Sequence, residues 1–262
     1  MNMLRLSLIL SLLLGGDAMA NESAVKELAP TGKLRAGLVF APSLSLFFNV
    51  RQADGTPRGI TADLADALAA ELGVPVEPVL FPNSGLATDA LEAGRVDVSF
   101  MPVDDARRAR IAFGPDYVIA ESTYMVTAKS GARTTEDVDR AGMRVIGIAG
   151  TATIRLVGGM LKHTTIAPVT SVEEAVAAMR EDRADAFALG RDSLPPYLSL
   201  VPGSRMTEGA FHRLPIAIAV AKGKPAALAH VTSFIERAKT SGLLRRTFDR
   251  HGFADPVAPP TQ

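Results

Sequence analysis

Apolar residues recur along the chain at alternating strand-like and helix-like spacings. Leu34 to Phe40 form an apolar run and predict a buried strand. Leu64, Leu68 and Leu72 fall at i, i+4 and i+8, predicting a helix over Ala62 to Leu72 that Thr61 caps and Gly73 ends. Val76 to Leu80 predict a second strand, closed by a Pro82-Asn83-Ser84-Gly85 turn. A short helix over Leu86 to Ala93 stops at Gly94, and Val96 to Met101 predict a third strand. The order then recurs, with a strand at Arg144 to Ile148, a Gly150-Thr151-Ala152-Thr153 turn and a helix over Ile154 to Leu161. Val172 to Arg180 predict a further helix and Ala184 to Leu189 a further strand.

The letters repeat as well as the pattern. Ala93-Gly94-Arg95-Val96-Asp97 follows one helix and Asp182-Arg183-Ala184-Asp185 the other, which predicts two α/β units of similar plan, each with its own sheet. Tyr117 to Thr127 and Pro215 to Ala221 are extended and apolar, so the chain can leave the first unit and return to it. The predicted fold is therefore α/β: two lobes joined by a two-strand hinge, with a ligand cleft between them. Its boundaries are residues 30–120 for lobe I, 121–214 for lobe II and 215–252 for the return to lobe I. Residues 253–262 form a tail, frayed from Pro256 onward. Within the return segment, Leu228, Val231, Phe234, Ile235 and Ala238 share one face of a helix over Pro225 to Ser241.

The start of the chain predicts a compartment. Met1 to Arg5 is a short basic stretch, Leu6 to Leu14 an apolar one, and Ala18-Met19-Ala20 has the small-x-small form of a signal-peptide cleavage site. The apolar run is too short to span a bilayer. Residues 1–20 are expected to be removed after Ala20, delivering the chain to the periplasm.

Composition then removes alternatives. The 262 residues carry 28 basic and 28 acidic side chains, a balance unlike that of a nucleic-acid binder. The absence of cysteine excludes disulfides, thiolate nucleophiles, thiolate metal sites and lipid attachment through sulfur. No G-x-S-x-G, P-loop, G-x-G-x-x-G or H-E-x-x-H is present, and His163, His212, His230 and His251 have no ligand spacing. Neither cofactor nor metal is expected, and a monomer is.

Ligands of open α/β sheets bind at the carboxyl ends of the strands. Those ends here collect Ser43, Ser45, Asn83, Ser84, Met101, Arg107, Thr151, Thr153, Arg191 and Asp192, a set suited to a small polar solute. Asn83 and Ser84 are equally consistent with an Asx turn. Arg107 also fits a solvated Arg107-Arg108-Arg110 helix face. Asp104 and Asp105 are explained by helix capping and Glu121 by an exposed strand position.

Several stretches then resemble a known family. Gly59-Ile60-Thr61-Ala62-Asp63-Leu64-Ala65 with Leu72-Gly73-Val74, and Ala90-Leu91-Glu92-Ala93-Gly94-Arg95-Val96-Asp97, are followed by Arg107-Arg108-Ala109-Arg110-Ile111-Ala112-Phe113. Gly150-Thr151 and Ile218-Ala219-Val220-Ala221-Lys222-Gly223 complete the series. In order and spacing they resemble family 3 extracellular solute-binding proteins, the type serving ABC importers of polar amino acids. The resemblance implies a periplasmic-binding-protein-like fold and a carboxylate-binding role for Arg107, six residues before Phe113. It further implies ligand contacts from Asn83, Ser84, Ser99, Met101, Thr151, Ala152, Thr153 and Asp192. Departures from the family's pattern fall on its ammonium contacts. The position of its second-lobe Asp is reached at Gly190, with Arg191 and Asp192 beyond; the Gly-Thr-Thr turn reads Gly150-Thr151-Ala152; and the first strand ends in Val39 and Phe40 rather than Asp. Pro102 has no N–H to offer a carboxylate.

The expected function is capture of a small carboxylate or amino-acid-like solute and its delivery to an ABC permease of the inner membrane, without catalysis. The alternatives are a cyclohexadienyl dehydratase-like enzyme on the same scaffold, for which Glu121, Asp192 or His212 would serve as acid, and a sensor for a membrane receptor.

Overall fold

The structure is a computed structural model that describes residues 21–260, so the expected signal segment lies outside the described residues. A helix α1 over 21–28 leads into β1 (Leu34–Phe40), β2 (Phe48–Arg51), β3 (Pro57–Arg58) and α2 (Ile60–Leu72). β4 (Val76–Phe81), α3 (Ser84–Glu92), β5 (Val98–Pro102) and the single turn α4 (Asp105–Arg108) complete a first half. β6 (Ile111–Val126) crosses to a second half of β7 (Val145–Ile148), α5 (Ala152–Met160), β8 (Ile166–Val169) and α6 (Val172–Arg180). That half ends with β9 (Ala186–Gly190), α7 (Pro195–Leu198) and β10 (Arg205–Met206). β11 (His212–Ala221) returns, and α8 (Pro225–Thr240) and α9 (Leu243–Arg250) close on the first half.

Each half is the expected parallel α/β unit. β1 pairs in parallel with β2, β4 and β5, while β7 pairs in parallel with β8 and β9. The expectation of two separate sheets is corrected. β6 and β11 pair antiparallel from Ser122↔His212 to Ile111↔Ala221, β11 continues onto β5, and β6 continues onto β9. One eleven-stranded sheet results among the described residues. The two crossings fuse the sheets because each is long enough to pair with the other and with one half, β11 with the first and β6 with the second.

Apolar faces follow the sequence pattern. Leu64, Leu68 and Leu72 of α2 pack with Leu38 of β1 and with Val231, Phe234 and Ile235 of α8. In the second half Val172, Val176 and Met179 of α6 pack with Ile146 and Phe187. Two local expectations need correction. Thr61 does not cap α2: it lies in the first turn and its hydroxyl accepts from Asn49 Nδ2 at 2.7 Å. Asn49 Oδ1 instead accepts from the Ala62 N–H at 3.2 Å, so the orphan donor is met from β2. Nor is the tail frayed from Pro256, since Val257 bridges Val118 and the Ala258 N–H donates to Tyr117 O at 2.9 Å.

The repeated letters acquire a physical meaning. Asp97 accepts from the backbone N–H of Arg35 at 3.0 Å and from its Nε and Nη2 at 2.9 and 2.7 Å. Asp185 holds Arg144 in the same way, at 2.9, 2.8 and 2.7 Å. Each aspartate follows a helix of its half and fixes the start of the neighbouring strand. The side chain of Asp97 is fully buried, whereas Arg144 is 45% exposed. Removing one partner of a buried pair leaves an uncompensated charge, while exposed pairs contribute little. Asp97→Ala is therefore expected to lower stability by about 3 kcal/mol, and Asp185→Ala by about 1 kcal/mol or less. Chemical denaturation of the two variants checks this, and equal losses would refute it.

Candidate functional site

Two helix N-termini face each other between the halves. Asn83 caps α3, its Oδ1 accepting from the Leu86 N–H at 2.9 Å, and Thr151 caps α5, its Oγ1 accepting from the Ile154 N–H at 3.3 Å. Ser84 therefore belongs to the first turn of α3 rather than to a preceding turn. Gly85 in α3 and Gly150 before α5 approach backbone to backbone. A Cβ on Gly85 would stand 2.8 Å from Gly150 Cα, and one on Gly150 3.0 Å from Gly85 Cα. Gly150 also has φ +70°, which favours glycine.

Hydrogen bonds cross this junction on both flanks. On one side Asn83 Nδ2 donates to Thr170 O at 3.2 Å, Arg107 Nη2 to Gly150 O at 3.3 Å, and Arg155 pairs with Asp104. On the other the Leu46 N–H donates to Asp192 Oδ2 at 2.7 Å. The halves are thus in direct contact around a cavity of about 30 Å³. Phe47, Phe48, Asn83, Ser84 and Pro102 line it from the first half. Ile148, Thr151, Ala152, Thr153, Leu189 and Gly190 line it from the second, and Ala120, Ser122, Leu214 and Ile216 form its floor on the crossing strands.

Of the residues expected at the site, Asn83, Ser84, Thr151, Ala152 and Thr153 meet at this cavity. Four stand elsewhere. Ser99 is buried and donates to Gly37 O at 2.7 Å, and Met101 is buried with its sulfur accepting from Thr88 at 3.2 Å. Both side chains sit in the body of the first half because β5 pairs on both edges there. Asp192 faces a separate groove beside Glu121, Arg191 and Asp255, and Gly190 takes the wall position instead. Arg107, only 2% exposed, lies behind Ser84. Its Nη2 donates to Ser84 Oγ at 2.7 Å, its Nε to Thr88 Oγ1 at 3.1 Å and its Nη1 to Pro102 O at 2.8 Å. The solvated-face reading of Arg107 is thereby excluded. Pro102 has no N–H to donate, but its carbonyl anchors the guanidinium.

Sequence reasoning missed Ser122, Leu189, Leu214 and Ile216. Ser122, Leu214 and Ile216 owe their place to the β6–β11 register and Leu189 to the β6–β9 pairing, which no local pattern announces. Phe47 and Phe48 both line the cavity, with ring centroids 4.3 Å apart.

Burial lowers the Arg107 pKa to about 10, partly offset by Asp104, so the group stays cationic at neutral pH. Burial raises Asp192 to about 6, against the opposing hydrogen bond from Leu46. Its Oδ1 is buried without a partner. Among the described residues no cluster of side chains is arranged to hold a metal ion, and no helix is long and apolar enough to cross a membrane.

Comparison with known proteins agrees with this geometry. Residues 45–254 match the family described as bacterial extracellular solute-binding proteins, family 3. A variant of ArgBP from T. maritima has 25% identity and a TM-score of 0.75, the match covering 87% of this chain and 98% of that one. The ancestral amino acid-binding protein AncCDT-1, described as a precursor of cyclohexadienyl dehydratase, has 26% identity and a TM-score of 0.74 over 86% and 98%. AbpA from Streptococcus pneumoniae bound to L-arginine, at 20% identity and a TM-score of 0.73 over 86% and 96%, shares the fold. None of the curated protein sequences matches the chain.

Two outcomes follow. Gly85→Ala leaves α3 intact, since alanine is the better helix former by about 1 kcal/mol, yet its Cβ meets the Gly150 backbone. The variant is expected to keep its stability and to show a larger radius of gyration in solution scattering; an unchanged radius would refute this role. Asp192 has a native pKa raised above the unfolded value of about 3.9, so the folded chain holds that proton more tightly. Its stabilising contribution is full below about pH 4 and is lost as pH rises through about 6. Relative to Asp192→Asn, the native chain should lose about 1–3 kcal/mol between pH 4 and 7.5. A stability difference independent of pH would overturn the assignment.

Proposed function

The chain belongs to the bacterial extracellular solute-binding proteins of family 3, and from that premise we propose that it is the periplasmic capture component of an ABC importer. Residues 1–20 serve as a cleaved signal peptide, and the remainder works as a two-lobed clamp. Lobe I comprises residues 30–120 and 215–252, lobe II residues 121–214, and residues 253–262 form a tail. A small solute enters between the lobes, and closure brings Asn83 and Ser84 against Thr151, Ala152 and Thr153. A membrane permease reads the closed form.

The observation that carries this reading is the chemistry of the cavity wall. It is built from both halves and holds hydroxyl, amide and apolar groups but no Asp, Glu, His, Lys, Arg or Tyr side chain. Such a wall can grip a ligand by many small interactions and lacks the groups that move protons in catalysis. Closure then depends on the ligand's preference for the joined state over the parted one. Arg107 sets the charge from behind Ser84, and Asp192 joins the lobes through Leu46 rather than touching solute.

A dehydratase-like reading is favoured by one comparison, the likeness to AncCDT-1. The acids it would use do not line the cavity: Glu121 and Asp192 face another groove, and His212 lies at the start of β11. The sensor alternative differs only in the membrane partner.

The test is a dye-based thermal-shift panel of amino acids, their 2-oxo counterparts, sugars and polyamines, followed by incubation with prephenate. A ligand at 100 times its Kd should add about 2.7 kcal/mol, or about 5–10 °C for a chain of this size. Stabilisation by one solute class without turnover is expected. Turnover of prephenate, or a panel with no stabilising solute at all, would overturn the proposal.

A further inference from the structure

Three features of the cavity bear on the charge of what it takes. The first is the convergence of two helix N-termini, α3 from one half and α5 from the other, with Ser84 and Ala152 both on the wall. The first N–H groups of a helix have no partner within it and carry partial positive charge. The second is the buried guanidinium of Arg107. No carboxylate oxygen lies within hydrogen-bond distance of its nitrogens; Asp104 Oδ2 is 3.7 Å away and is shared with Arg155. Around that aspartate two cations face one anion, so the field toward the cavity is positive. Ser84 transmits it: the oxygen accepts from Arg107 Nη2 at 2.7 Å, leaving the hydroxyl hydrogen to be donated elsewhere. Ser122, 2% exposed and on the cavity floor, makes no side-chain hydrogen bond among the described residues and is a further donor.

The third feature concerns the opposite charge. No acidic side chain reaches the wall. At Gly190, where β9 meets the cavity, there is no side chain at all, and the space beside it is filled from behind, with Asp192 Oδ1 2.8 Å from where a Cβ would stand. Only its Oδ2 is engaged, accepting from the Leu46 N–H, and Asp192 is not itself among the residues lining the cavity. An ammonium buried here would meet only neutral oxygens on the wall itself, with the nearest carboxylate, Asp192, set behind Gly190, whereas buried cations need a direct anionic partner. The rest of the surface, including Phe47, Ile148, Leu189, Leu214 and Ile216, suits an apolar body.

We propose that the cleft selects a monocarboxylate with an apolar body and no ammonium nitrogen, bound by its carboxylate between Ser84 at the α3 N-terminus and the N-terminus of α5. The assignment rests on the solute-capture reading and narrows it. A 2-oxo acid fits because its second oxygen is a further acceptor for Ser122 or Thr153.

Isothermal titration calorimetry on the signal-free chain tests it with matched pairs: pyruvate against alanine, 4-methyl-2-oxopentanoate against leucine, phenylpyruvate against phenylalanine. The expected result is at least tenfold tighter binding of a 2-oxo acid than of its amino acid. Ser84→Ala should weaken that binding about tenfold while leaving the unliganded melting temperature within a few degrees. Equal or tighter binding of an amino acid would overturn the inference and leave solute capture standing. Heat from neither member of any pair would overturn it too, and if sugars and polyamines also fail to stabilise the chain, the capture reading falls with it. Should Ser84→Ala fold poorly, Ser122→Ala offers the same readout from the cavity floor.

Discussion

Everything at the cleft depends on the antiparallel pairing of β6 with β11. These two strands are the covalent crossings between the halves, and they hydrogen-bond to each other from Ile111↔Ala221 to Ser122↔His212. Because β11 also pairs with β5 and β6 with β9, each half is anchored to the same two-strand spine. A two-strand connection bends more easily than a packed core slides, since packed interiors resist continuous deformation. Any parting of the halves, as the proposed clamp requires, would therefore have to bend this spine. Ala120, Ser122, Leu214 and Ile216 then serve twice, as ladder residues and as the cavity floor.

The spine also explains how a buried arginine is tolerated. Arg107 sits one turn after β5, in a helix too short to stabilise itself, held by the Asp104 cap on its own N–H at 2.8 Å. Four neutral oxygens then accept from its guanidinium, three from its own half and one, Gly150 O, from the other. Hydrogen bonds to a charged group contribute about 1.5–3 kcal/mol each, enough to offset much of the desolvation that lowers its pKa. One of the four bonds exists only while the halves touch. The buried charge thus contributes directly to the contact between the halves.

How much of this was legible in the sequence divides by the range of the interaction. β1 falls on Leu34–Phe40 and α6 on Val172–Arg180 as their apolar spacing predicts, because those faces are read from neighbours in the chain. The repeated Asp97 and Asp185 marked two similar units, and their matching grips on Arg35 and Arg144 explain the repetition. Thr61 misled because a local cap signal competes with Asn49, a residue twelve positions earlier that only the β2 pairing brings to the helix. Ser99 and Met101 misled for a related reason: the apolar run marked a strand, but which of its residues met the cleft depended on pairing with β11, distant in sequence. β2, β3, β8 and α9 were not anticipated, being short or weakly apolar segments that gain order only from the strands and helices they dock on.

Gly190 and Asp192 show the same principle at the level of one carboxylate. Two residues separate a position on the cavity wall from one that reaches the opposite half. A carboxylate on the wall would spend its charge on the solute; at Asp192 it accepts from the Leu46 N–H and ties the lobes together instead. The consequence is an exchange between recognition and closure. The cavity wall carries no anionic side chain and the carboxylate contacts the opposite half instead, while burial leaves its second oxygen unpartnered. An unpartnered buried oxygen weakens the contact whenever the group is ionised, so the latch is held below the strength its 2.7 Å bond would otherwise give.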